Sequence, residues 1–137
     1  MTTMKAMVYY GKNDIRFEDR PIPTILHPSD AVIKLTKVTI CGTDLGIWKG
    51  KNPEIEQQAT RKQGSFNGRI LGHEGIGIVE EVGSGVKNVK KGDRVIIPFV
   101  IACGHCFFCE HELMAACENT NSGRGAIINK KQIPPGA

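Results

Sequence analysis

Four of the five cysteines in this chain fall between Cys103 and Cys117, in the stretch C-G-H-C-F-F-C-E-H-E-L-M-A-A-C. The intervals are two, two and seven residues. Two cysteines separated by two residues can turn both sulfurs onto one ion, and here that step happens twice before a short reach brings in a fourth. Thiolates from Cys103, Cys106, Cys109 and Cys117 would complete a tetrahedron with no open position, which makes the ion structural rather than reactive. Zinc is the default ion for four sulfurs, with iron the runner-up. Disulfides or ordinary small apolar residues are the plainer alternative. They fit less well, because the chain opens Met-Thr-Thr-Met-Lys with no apolar signal region behind it. Metal-type cysteine pairs without a secretory signature usually mean metal. A nucleic-acid-reading finger would want a second pair of histidines and a basic helix, and Glu110 and Glu112 face phosphate badly.

A second constellation is looser. Cys41 follows an apolar run and begins C-G-T-D, while His73 and Glu74 lie inside G-H-E. Taken alone, Cys41 reads most simply as a core residue and His73 as a turn residue. Brought together by folding, a cysteine and a histidine can hold zinc, and an incomplete site leaves the metal reactive. Glu74 is then either a spare ligand or a partner that orients the ligands.

The elements that must position these residues are short. The chain has 137 residues, 40% of them hydrophobic, with 16 glycines, 7 prolines and a net charge of +4. That is enough for one domain with a real core and too little for a second of ordinary size. The charges are scattered, so neither a nucleic-acid nor a membrane partner is implied, and no run approaches the ~18 apolar residues of a transmembrane helix. Lys5–Tyr10 and Asp14–Glu18 have strand composition and predict a hairpin turned by Gly11, Lys12 and Asn13, with Pro21 and Pro23 ending it. Ala31–Thr39 alternates, with Val32, Ile33, Leu35, Val38 and Ile40 on the core side. Asp44–Trp48 suggests one helical turn. Residues 52–68 are polar without a clear period and predict a long surface loop. Gly75–Val82 predicts a buried strand and Arg94–Pro98 another, with turns at Gly83-Ser84-Gly85 and Lys91-Gly92-Asp93 between them. Ile127 and Ile128 suggest a short strand, and residues 130–137 a frayed tail. Short strands separated by turn residues predict an all-β barrel or sandwich.

Four motifs occur in order: C41-G-T-D44, G72-H-E-x-x-G77-x5-G83-x-x-V86, G92-D-R-V95 and C103-x2-C106-x2-C109-x7-C117. Together they resemble the zinc-dependent medium-chain alcohol dehydrogenase family, specifically its N-terminal GroES-like catalytic domain, over residues 4 to about 123. The resemblance implies a mainly β fold: a GroES-like, partly open β-barrel over residues 1–123, a small four-cysteine zinc lobe at 100–120, and a divergent tail at 124–137. It implies that Cys41 and His73 bind a catalytic zinc with Glu74 beside it. Thr43 would face the substrate oxygen and take the alcohol proton, and Asp44 would orient His73. Cys103, Cys106, Cys109 and Cys117 would hold a structural zinc. The activity implied is oxidation of a small alcohol, or reduction of a carbonyl, with NAD or NADP. Zinc acts there as a Lewis acid, and the nicotinamide carries the hydride.

The sequence departs from the family in several ways. No strand is followed by G-x-G-x-x-G, so the NAD(P)-binding Rossmann domain of the family is not represented. No His, Asp, Glu or Cys follows Glu118, so the usual third protein ligand of the catalytic zinc is missing. The zinc there would depend on Glu74, water or a neighbouring chain. Gly46 stands where many relatives carry a proton-relay histidine, and Glu112 where a glycine is frequent. These departures predict a truncated family member, inactive alone, whose uncovered inter-domain surface self-associates into a homo-oligomer; the opening without an apolar signal region predicts a cytoplasmic location. Two alternatives remain: a free-standing zinc-binding GroES-like module used for binding or oligomerisation, and an enzyme assembled with a separate Rossmann chain.

Overall fold

The architecture comes from a computed structural model, which describes residues 2–60 and 67–120. These divide into two units, one up to Ile97 and one from Pro98 onward.

The first unit begins with a hairpin. Strand β1 (Thr3–Gly11) pairs antiparallel with β2 (Asp14–Pro21) from Thr3 opposite Pro21 to Gly11 opposite Asp14. Asn13 closes the turn at φ 63°, the left-handed region that asparagine tolerates better than most residues. Its amide donates to the Trp48 carbonyl at 2.8 Å, which ties the hairpin to the end of a later helix. Both strands run longer than the sequence suggests, and the buried Arg20 lies in the added part of β2. Its guanidinium donates to Tyr10 Oη, Glu18 Oε1 and the Asn67 carbonyl at 2.8, 2.6 and 2.6 Å. Nearby, strand β3 (Arg69–Ile70) adds to the far edge of β1, so the first sheet reads β2, β1, β3.

The second sheet has β4 (Ala31–Val38), β5 (Gly75–Val82) and β6 (Arg94–Ile97), antiparallel throughout, with β5 in the centre. Neither three-stranded sheet closes on itself, in agreement with a partly open barrel. Gly77 sits opposite Leu35 and admits no side chain. A Cβ there would stand 2.5 Å from both Ile33 Cγ2 and the Lys34 carbonyl oxygen.

Two helices complete the first unit. Helix α1 (Gly42–Trp48) is longer than the single turn the sequence suggests. Helix α2 (Pro53–Thr60) lies where the sequence predicts loop, and that expectation is corrected. Asn52 caps it: its Oδ1 accepts the Ile55 amide at 3.1 Å, with proline in the first helical position and Glu54 and Glu56 in the first turn. Ala59 of α2, Ile47 of α1 and Tyr9 of β1 form a buried core, with Ile15, Ile55 and Leu71 against it. A helix can be short and polar when one face reaches a core. The remainder of the expected loop, residues 61–66, lies outside the described residues, as do Ile127, Ile128 and the expected tail.

A second correction concerns β4. Leu35, Val38 and Ile40 were expected on the core side, yet they are 52%, 58% and 77% exposed. The facing positions on β5 are Gly77 and Gly75, which carry no side chain to cover Leu35 and Val38.

The second unit has no strand among its described residues. It holds helix α3 (Phe107–Glu110) and a 3₁₀ turn (Met114–Ala116). Its core is sulfur: Cys106, Cys109 and Cys117 are buried, with Ala102, Cys103 and Phe108 packed around them.

Candidate metal centres

The four cysteines of the second unit converge. Their sulfurs all lie within 4.8 Å of one another. Cys103 Sγ is 3.9 Å from Cys109 Sγ, and Cys106 Sγ is 3.5 Å from Cys109 Sγ. Sulfurs at about 2.3 Å from a tetrahedral zinc stand about 3.8 Å apart, so the set fits that ion. All are free thiols. Gly104, at φ 81°, makes the turn that lets Cys103 and Cys106 face the same point.

The polar surroundings favour thiolate at some positions and thiol at others. Burial raises the Cys117 thiol, but the Thr120 hydroxyl and the amides of Cys103, Asn119 and Thr120 pull it down to about 6. Burial works the same way on Cys103, and the His105 amide and the Asn119 side chain bring it below the ordinary thiol value. Burial pushes Cys109 up to about 11 despite the Gly104 amide. Asn119 Nδ2 donates to Cys103 Sγ at 3.1 Å, and Cys103 N donates to Cys117 Sγ at 3.4 Å. Four thiolates this close repel one another, and a divalent cation at their centre removes that cost.

The second centre is built from two distant segments. Cys41 is the N-cap of α1, and its amide donates to Asp44 Oδ2 at 2.9 Å. His73 follows Gly72, whose φ of 108° turns the chain out of β3. The Leu71 amide fixes that turn on the Met7 carbonyl at 2.9 Å. Cys41 Sγ lies 3.2 Å from His73 Nε2, across 32 residues of sequence. The other ring nitrogen, Nδ1, lies 3.8 Å from Asp44 Oδ1, which is buried and has no hydrogen-bond partner among the described residues. Asp44 thus touches both arms: one oxygen holds the Cys41 backbone and the other faces the His73 ring. A carboxylate on Nδ1 favours the tautomer whose Nε2 lone pair is free for a metal.

Glu74 completes the cluster. A carboxylate oxygen, Cys41 Sγ and a His73 nitrogen all lie within 4.8 Å of one another. Thr43 is exposed on the first turn of α1, two residues past Cys41. At Gly46 a Cβ would meet nothing within 4 Å, so that face of α1 is open. One sulfur, one imidazole and one carboxylate are the donor types of a reactive zinc site with a position left for another oxygen. Thr39, Asn119 and Thr120 were not singled out by sequence. Each lies two or three residues from a cysteine, and nothing in the spacing of a single hydroxyl or amide marks it.

The family model for the alcohol dehydrogenase GroES-like domain matches residues 27–135. The chain belongs to that family. Among relatives of this GroES-like domain, an uncharacterized zinc-type alcohol dehydrogenase-like protein, AdhB of Bacillus subtilis, is 46% identical over 118 residues, covering 86% of this chain and 29% of that protein. A zinc-type alcohol dehydrogenase-like protein of Schizosaccharomyces pombe is 44% identical over 128 residues, covering 93% and 28%. The apo structure of zinc-dependent alcohol dehydrogenase 2 from Streptococcus pneumonia superposes with a TM-score of 0.72 at 45% identity, covering 87% of this chain and 31% of that one. The GroES-like domain here therefore spans less than a third of the length of these relatives. No helix among the described residues is long and apolar enough to cross a membrane.

Proposed function

We propose that this chain is the metal-binding and substrate-handling part of a zinc-dependent alcohol dehydrogenase, working on a small alcohol or carbonyl with NAD or NADP. The observation that carries the reading is the approach of Cys41 Sγ to His73 Nε2 at 3.2 Å, with Asp44 behind the ring. In this reading Cys103, Cys106, Cys109 and Cys117 hold a structural zinc, and Cys41, His73 and Glu74 hold a second, catalytic one. That second zinc supplies Lewis-acid polarisation of a substrate oxygen, and the nicotinamide supplies or accepts hydride. The chain's own residues do the rest. Asp44 fixes the His73 ring and its tautomer, and Glu74 adds negative charge. The Thr43 hydroxyl, exposed beside Cys41, can accept a hydrogen bond from a substrate hydroxyl and pass on its proton.

Thiol ligands suit a reducing compartment, which supports a cytoplasmic location. The apolar side chains exposed on β4, together with Ile96 at 76% exposure, support self-association into a homo-oligomer.

The test is metal content per chain by elemental analysis, on the wild type and on Cys41→Ser. Two zinc equivalents in the wild type and one in the variant are expected. One equivalent in both would overturn the reading and favour the alternative of a zinc-stabilised GroES-like module without a second metal.

A further inference from the structure

Thr39 lies one residue beyond the last β4–β5 rung, which is Val38 opposite Gly75, and two residues before Cys41. It holds Glu74 twice. The Thr39 amide donates to the Glu74 carbonyl at 3.1 Å, and the Thr39 hydroxyl donates to Glu74 Oε2 at 2.8 Å. These contacts span 35 residues of sequence. A glutamate side chain is otherwise free among several rotamers, and ordering it costs entropy. A carboxylate has four lone-pair sites, so one hydrogen bond to Oε2 leaves ample capacity for a cation.

We propose that Thr39 is a positioning residue that aims the Glu74 carboxylate at the Cys41–His73 pair and so makes Glu74 the third protein ligand for a divalent cation there. This rests on the reading of Cys41 and His73 as a metal site. It lets a single ion gather three donors from residues 41–74 alone. The clamp is coupled to the sheet, because Thr39 and Glu74 continue the ladder that sets where Cys41 and His73 begin.

Cobalt(II) is the probe, titrated into the metal-free 137-residue chain and followed by its thiolate charge-transfer absorption, with Cys41→Ser separating the two sites. Thr39→Val removes the hydroxyl and keeps the shape; Thr39→Ser keeps the hydroxyl. Outer-shell partners of metal ligands are worth about tenfold to a hundredfold in affinity. This bond is exposed to solvent. About tenfold weaker cobalt binding at the Cys41 site is therefore expected for Thr39→Val, with recovery in Thr39→Ser. The four-cysteine site in the same chain reports general loss of structure, and its affinity should not move. In a Glu74→Ala background Thr39→Val should add nothing, because the effect runs through the carboxylate. Unchanged or tighter binding in Thr39→Val overturns the proposal and leaves the metal site standing. Identical cobalt uptake by wild type and Cys41→Ser overturns the proposal together with the site on which it rests.

Discussion

The two clusters of candidate metal ligands reach the same kind of geometry by opposite means. The four-cysteine lobe takes identical donors from 15 consecutive residues, with one glycine turn, one short helix and one 3₁₀ turn among them. The Cys41 cluster takes unlike donors from a helix N-cap and from the two residues just before a central strand, and depends on two sheets and a turn to bring them together. A local cluster of like donors can be closed and needs little scaffold. A cluster drawn from distant segments can be left open, with each donor oriented by its own partner, but it is only as sound as the fold beneath it. Among the described residues the lobe also has no apolar core apart from its sulfurs and their immediate neighbours, whereas the first unit packs Tyr9, Ile47 and Ala59 whatever its cysteine does.

The largest expected effect follows from that last contrast. A structural zinc site contributes about 10–16 kcal/mol of apparent binding energy in small zinc-dependent peptides, and most of it is folding energy. Chelating the metal, or replacing Cys106 with serine, should unfold the lobe while the two sheets persist. Amide hydrogen exchange on residues 98–120 should become fast, with protection in β1 and β5 retained. Protected lobe amides after complete metal removal would show that the sulfur core holds without an ion.

A middle-sized effect should break the other cluster and spare the lobe. Gly77→Val places a side chain against the Lys34 carbonyl, where even a Cβ stands at 2.5 Å, so β4 and β5 must separate. Overpacking of this kind costs about 1–3 kcal/mol or more. The melting temperature of the sheet unit should fall and metal at the Cys41 site should be lost. The four-cysteine site should still fill, as a cobalt titration would show. Loss of both metals together would mean that the two clusters are not independent.

How much of this was legible in the sequence follows the same division. The convergence of the lobe's four sulfurs was legible, since a local set of cysteines is written as spacing, while its helix, its 3₁₀ turn and the Asn119 and Thr120 contacts were not. Gly75–Val82 was legible to the residue because its turns flank it closely. The pairing of Cys41 with His73 was a matter of resemblance, because spacing carries no information about contact across 32 residues. Helix α2 was missed although its start was written plainly, as asparagine, proline and two glutamates. Its polar composition masked the single small residue, Ala59, that it buries. The exposure of Leu35 and Val38 was not legible either. Alternation along a strand shows which residues share a face, but whether that face is covered depends on the neighbours, and here they are glycines.

The smallest predicted effect sharpens the comparison most, because it touches orientation without removing a ligand or a contact surface. Asp44→Asn keeps an oxygen that can accept the Cys41 amide, so the cap of α1 should survive. The other side-chain atom, facing His73 Nδ1, changes from a carboxylate oxygen to an amide nitrogen that donates. A donor there favours the tautomer with Nδ1 as acceptor and the proton on Nε2, the nitrogen that faces Cys41 Sγ. A metal must then displace that proton before it binds. Affinity at the Cys41 site should fall about tenfold or somewhat more, roughly 1.4 kcal/mol per factor of ten, with the lobe unaffected. Nitrogen NMR of the His73 ring in the metal-free chain should show Nδ1–H in the wild type and Nε2–H in the variant. The same tautomer in both, with unchanged metal affinity, would mean that the 3.8 Å gap between Asp44 and His73 is too wide for the carboxylate to govern the ring.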